Sequence, residues 1–154
     1  IPVEALVAAA EAAPDATFVL NPAPMPPDVK DVGDLLERVD VLVPNRTELA
    51  QLAGLPEPRT DADVDRCVAA LGFDKTLVVT LGPDGAVIYT GSRRVGQVPS
   101  ADVAAIDTSG AGDAFCGGLA HHLALGASME EAVRSATELA GQSTTVRGAR
   151  LPAP

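Results

Sequence analysis

Only two cysteines occur in the 154 residues, Cys67 and Cys116. They are too few for a disulfide framework, so reduced, packed thiols and a cytoplasmic setting are expected. Positive charge is also scarce. Eleven lysines and arginines stand against 21 aspartates and glutamates, and the net −10 argues against nucleic acid or an anionic membrane as a partner. No apolar run approaches the roughly 20 residues of a membrane-spanning helix. The opening Ile-Pro-Val-Glu lacks the basic start of a signal peptide. There is no internal repeat, and the one biased tract is the proline cluster at 22–27. What remains is 47% hydrophobic, enough for one domain with a real core.

Strand and helix signals alternate along the chain. A helix over 1–13 is broken by Pro14-Asp15, and a short buried strand follows at 17–20. A helix is expected around 31–39, a strand at 41–43, and a helix at 46–53 closed by Gly54. The segment 61–71 places Val64, Cys67, Val68 and Leu71 at helical spacing and ends at Gly72. Strands follow at 76–81, at 86–90 after Pro83-Asp84-Gly85, and at 95–98. The last elements are helices at 110–125 and from 129 to about 146. This is the pattern of a layered α/β/α fold, Rossmann-like, with a mostly parallel central sheet. Ligands in such sheets gather at the carboxyl ends of strands. Segments 21–24, 45–48 and 81–85 fall just past such ends and are expected to converge.

The most informative stretch is Asp107-Thr-Ser-Gly-Ala-Gly-Asp-Ala-Phe115. Gly110, Ala111 and Gly112 carry almost no side chain, so a polyanion can approach their N–H groups at the positive end of the following helix. Asp113, in the first turn, could take a proton from an attacking hydroxyl. The same residues also read as a flexible helix start with an ordinary first-turn acid. Asn45 and Glu48 can share a pocket across one helical turn, and their spacing equally fits a capping box. Thr80 to Gly85 reads as a phosphate loop or as a plain Pro-Asp-Gly turn. His121 and His122 are adjacent in a helix and cannot share a face, so both are read as non-catalytic.

From Asp107 through Ala120 the sequence resembles the second signature of the ribokinase-like (PfkB-type) carbohydrate kinases, residue for residue. The resemblance implies that Gly110, Ala111 and Gly112 stabilise the transferring phosphoryl group and that Asp113 is the catalytic base. Asn-x-x-Glu at 45–48 is similar to the family motif that organises Mg²⁺ through water near the phosphates of ATP. Thr80-x-Gly82-x-x-Gly85 is similar to its ATP-phosphate loop, and Thr137 falls where the family covers the adenine, a place where His or Asn is commoner. With Gly112 and Asn45 these make up the implied nucleotide contacts. Asp107, Ser109, Ser143, Val146 and Gly148 match the implied ligands of a monovalent cation, K⁺. The family pattern ends on a serine where this chain has Pro152. Asn-Pro-Ala-Pro at 21–24 and Asp-Val-Leu-Val-Pro-Asn at 40–45 point toward ribokinases rather than adenosine kinases.

The resemblance covers essentially all of the chain but only the second half of the family's domain. The chain is therefore expected to be the C-terminal, nucleotide-binding half (1–154), without the first half's sugar-binding residues and lid. It implies transfer of the γ-phosphoryl group of ATP to a primary hydroxyl of a sugar, with ribose as acceptor. Fructokinase or deoxyribokinase activity, or a truncated piece that only binds nucleotide or phosphate, are the alternatives. An uncovered sheet edge would drive self-association, giving a homo-oligomer.

Overall fold

The computed structural model describes residues 2–25 and 33–148. Among them are the helices α1 (Val3–Ala12), α2 (Gly33–Leu36), α3 (Arg46–Ala53), α4 (Asp61–Leu71), α5 (Ala111–Ala124) and α6 (Met129–Ser143). The strands are β1 (Val19–Leu20), β2 (Val41–Leu42), β3 (Thr76–Thr80), β4 (Ala86–Thr90) and β5 (Arg93–Val98). They form one sheet in the order β1-β2-β3-β4-β5. β1 and β2 run parallel, with Val19 opposite Val41, and so do β2 and β3, with Val41 opposite Thr76. The connection from β1 to β2 includes α2, and that from β2 to β3 includes α3 and α4; both are long, as parallel neighbours require. The chain divides into two compact units, Ile1–Val79 with Tyr89–Val95, and Thr80–Ile88 with Gly96–Pro154.

In the first unit, Leu42, Val43, Leu49, Val64, Leu77 and Val78 are fully buried. Each such side chain contributes about 1.5–3 kcal/mol relative to exposure. α4 turns Val64, Cys67 and Val68 inward, one stripe at 3.6-residue spacing. Both α3 and α4 begin with reciprocal capping boxes, Asn45 with Glu48 and Thr60 with Asp63. Both end on a left-handed glycine, Gly54 at φ 64° and Gly72 at φ 67°. Tyr89 is fully buried, and its hydroxyl donates to Asp65 at 2.6 Å. Arg94 donates to the same carboxylate oxygen at 3.0 Å and lies 5.6 Å from the Tyr89 ring centre, so one guanidinium ties β5 to α4. Burial, then the bond to Asp65, pushes the Tyr89 phenol far above its usual range. α1, rich in alanine and valine, buries none of its residues.

β1 begins two residues later than expected, because the Phe18 N–H is bound by the Asp40 carboxylate at 2.9 Å. α2 covers part of the helix expected around 31–39; positions 31 and 32 lie outside the described residues, as do 26–30 of the proline-rich loop and Pro152.

In the second unit, α5 and α6 pack as an antiparallel pair across Phe115, Leu119, Ala132, Val133 and Ala136, all buried. A Cβ on Gly118 would lie 3.2 Å from the Ala136 Cα and 3.1 Å from Leu139 Cδ2, so this glycine sets how closely the two helices approach. α6 opens on a third capping box, Ser128 with Glu131. It stops at Ser143, three residues short of expectation. The hydroxyls of Ser143, Thr144 and Thr145 donate to the carbonyls of Ala140, Gly141 and Gln142 at 2.7, 2.7 and 2.8 Å. Such back-bonding hydroxyls offer the last carbonyls an alternative to another helical turn.

Candidate active site

α5 starts on Gly110, at φ 77° in the left-handed region that glycine alone adopts without strain, and no side chain caps it. The Ala111 N–H closes a turn on the Thr108 carbonyl at 3.2 Å, and the first intrahelical bond runs from Ala114 N–H to Gly110 O at 2.9 Å. The N–H groups of Gly112 and Asp113 therefore precede any intrahelical acceptor and sit at the positive end of a 14-residue helix. Gly112 is exposed, and nothing lies within 4 Å of where its Cβ would be. Asp113 is exposed in the same turn. The geometry offers bare backbone donors for an anion and a carboxylate beside them.

The stretch ahead of α5 is held by one carboxylate. Asp107 accepts from the Ser109 N–H at 2.9 Å and, with its other oxygen, from the Gly148 N–H at 3.0 Å. Thr144 O in turn accepts from the N–H groups of Ile106 and Asp107 at 2.7 and 3.0 Å. The Gly148 bond first, and then the Ser109 bonds, hold the Asp107 carboxyl down at about 2, against an ordinary 3.8. A carboxyl depressed on folding stabilises the fold in full above its free value, and that contribution is lost as pH falls from about 3.8 through about 2. Asp107→Asn is therefore expected to flatten the loss of stability between pH 4 and pH 2, measured by urea unfolding; an unchanged acid limb would contradict the clasp.

Thr80 ends β3 and is half-buried. Beyond it, Gly82–Asp84 form a 3-10 turn closed by Leu81 N–H on Gly85 O at 2.7 Å. The two glycines of this loop differ. Gly82, at φ 61°, is exposed with open space at its Cβ position. Gly85, at φ 85°, is buried; a Cβ there would fall on the Val98 carbonyl oxygen and 2.7 Å from both Pro99 C and Ser100 N.

In the first unit, the capping box of α3 is complete. Asn45 Oδ1 accepts from the Glu48 N–H at 2.9 Å, and the two Glu48 oxygens accept from Asn45 N–H and Nδ2 at 2.9 and 2.8 Å. Glu48 is 8% exposed. The bland reading of this pair is thus realised, with the carboxylate fixed and half of its lone pairs in use.

Thr137 is buried and its hydroxyl donates to Val133 O at 2.8 Å, so that group faces its own helix. Ser143 is buried, Val146 half-buried, and Gly148 sits at φ 91°. His121 and His122 stack edge-on, 5.3 Å between ring centres, in the last turn of α5. Among the described residues no three His, Cys, Asp or Glu side chains group closely enough to hold a metal ion. The second unit thus brings Asp107, Ser109 and Gly148 together directly. Sequence reasoning missed Thr144, whose carbonyl holds the Ile106 and Asp107 N–H groups.

All of residues 1–154 match the pfkB family carbohydrate kinase domain. The chain is 38% identical over 139 residues to the deoxyribokinase of Salmonella typhi, covering 88% of this chain and 44% of that protein. It superposes on Arabidopsis thaliana ribokinase complexed with ribose and ATP with a TM-score of 0.80 and 30% identity, covering 97% of this chain and 48% of that one. A fructokinase double mutant from Vibrio cholerae O395, bound to fructose, ADP and potassium ion, matches with a TM-score of 0.76 and 25% identity over 95% of this chain and 50% of that one. The chain spans less than half the length of the curated relatives it matches. With the signature at the mouth of α5, the parallel ladder β1 to β3 and the match along its whole length, the chain belongs to the pfkB family of carbohydrate kinases.

Proposed function

We propose that residues 1–154 form the C-terminal, nucleotide-binding half of a cytoplasmic sugar kinase, whose full-length form moves the γ-phosphoryl group of ATP to the primary hydroxyl of a pentose, ribose in the first instance. One observation supports this reading: the helix start at Gly110 to Gly112 carries no side chain larger than a methyl group and no side-chain cap, and Asp113 lies in its first turn. In this reading the backbone at Gly110, Ala111 and Gly112 receives charge that develops on the transferring group, and Asp113 accepts the hydroxyl proton. Since Ala111 N–H is engaged by Thr108, the Gly112 and Asp113 amides are the donors best placed for that task. Thr80 and Gly82 serve the ATP phosphates, with Gly85 shaping the loop that holds them. Thr137 lines the adenine side through its methyl group.

Asn45 and Glu48 fit Mg²⁺ held through water, since each Glu48 oxygen keeps a lone pair after its bond to Asn45 and magnesium gives up its waters reluctantly. Asp107 with the backbone carbonyls of Ser109, Ser143, Val146 and Gly148 is an all-oxygen set suited to a hard cation such as K⁺. When bound, these ions neutralise phosphate charge. Support for ATP and a pentose comes from the ribokinase complex with ribose and ATP and from the deoxyribokinase match. The balance of acidic residues fits small-molecule partners rather than nucleic acid, and no helix among the described residues is long and apolar enough to cross a membrane. Homo-oligomerisation belongs to the same proposal.

The test is ATP-dependent phosphorylation by the full-length protein, with ribose, 2-deoxyribose and fructose compared at equal concentration. The highest kcat/KM is expected for ribose, with no turnover by residues 1–154 alone. Preference for another sugar overturns the acceptor, and turnover by the isolated chain overturns the division into halves.

A further inference from the structure

The segment 101–107, which delivers the chain to the mouth of α5, has no regular structure, and its residues from Asp102 to Ile106 are exposed. It buries little of its own, so its position must come from what it rests on. That support is the last turn of α6, which it meets at two places. Thr144 O takes the N–H groups of Ile106 and Asp107. At the segment's other end, Ala101 lies against Gly141: a Cβ on Gly141 would be 2.5 Å from the Ala101 Cβ and 3.6 Å from Val103 Cγ2. Ordinary carbon contacts are about 3.5–4.0 Å, so any side chain at 141 would displace the segment by about 1 Å. Glycine is among the poorest helix formers and alanine the best, so propensity alone favours alanine at this position and the contact is what requires glycine. Gly117, in the open on α5, has no such contact within 4 Å.

We propose that Gly141 is a positioning residue for phosphoryl transfer, its missing Cβ seating segment 101–107 on α6 and so fixing where the chain enters α5. This rests on the assignment of Gly110 to Asp113 as the transfer site. A displacement of about 1 Å near a reacting group can cost about 10²-fold in rate. In the full-length kinase, Gly141→Ala is therefore expected to lower kcat by about 10- to 100-fold with the KM for sugar unchanged, because the sugar site is untouched. Adding Ala101→Gly removes the opposing methyl group and restores kcat. A single variant with wild-type kcat, or a loss that Ala101→Gly does not relieve, overturns the proposal. Should Gly141→Ala fail to fold, the double variant must fold and turn over near the wild-type rate, and an inactive folded double variant overturns it equally. Asp113→Asn, assayed alongside, separates the two readings. Full activity of Asp113→Asn strikes the functional assignment and this inference with it, whereas an inactive Asp113→Asn beside a normal Gly141→Ala strikes this inference alone.

Discussion

Asp113→Asn in the full-length kinase should lower kcat by about 10²- to 10⁴-fold, the range for removal of a general base, with ATP affinity little changed. The substitution keeps the shape of the side chain and removes only its ability to take a proton. The helix N-terminus loses a favourable negative charge worth about 0.3–1 kcal/mol at an exposed position, too little to unfold the domain. The N–H groups of Gly112 and Asp113, which would contact phosphate, are backbone and survive the change. Single-turnover transfer measured against nucleotide binding by calorimetry separates the two effects. A kcat near that of the unsubstituted protein would end the assignment of Asp113 as base.

A second large effect is expected on stability. Gly85→Ala asks an L residue to adopt φ 85° and ψ −134°, at a cost of about 1–3 kcal/mol. It also drives a methyl group into the backbone of Val98, Pro99 and Ser100, where no side chain can swing aside, for about 1–3 kcal/mol more. Against a typical total of about 5–15 kcal/mol this is a severe loss. Gly82→Ala, in the same loop, meets no atom and bears only the left-handed backbone cost of about 1–2 kcal/mol. Urea midpoints of the two variants should therefore differ widely, with Gly82→Ala folded and weakened chiefly in nucleotide binding. Equal midpoints would show that the loop yields at Gly85.

What the sequence revealed and what it hid divide along the range of the interactions. α3 and α4 were readable to the residue, because their starts and stops are set by caps within four positions: Asn45 with Glu48, Thr60 with Asp63, and the glycines 54 and 72. β4 was equally clear, bracketed by Gly85 and Gly91. The end of α6 was less clear, since besides the back-bonding hydroxyls of Ser143, Thr144 and Thr145 its stop involves the Thr144 carbonyl turning toward Ile106 and Asp107, nearly 40 residues earlier. β1 lost two residues to the Asp40 carboxylate, 22 positions away at Phe18. The site divides in the same way. The bare start of α5 follows from Gly-Ala-Gly, but nothing local says that Gly85 abuts the end of β5. The capping reading of Asn45 and Glu48 was legible from spacing, while the metal reading came from resemblance.

The bond from Gly148 to Asp107 spans 41 residues, a separation whose closure would ordinarily weigh against folding quickly. Most of that separation is α5 and α6, two neighbouring helices in contact at Gly118 and Ala136. Once this helical hairpin has closed, Asp107 and Gly148 stand at its open end, and little chain entropy remains to be lost when they meet. The two flanks of the proposed phosphate site are thus gathered by local helix pairing, and what looks on paper like a long-range contact behaves in assembly as a short-range one.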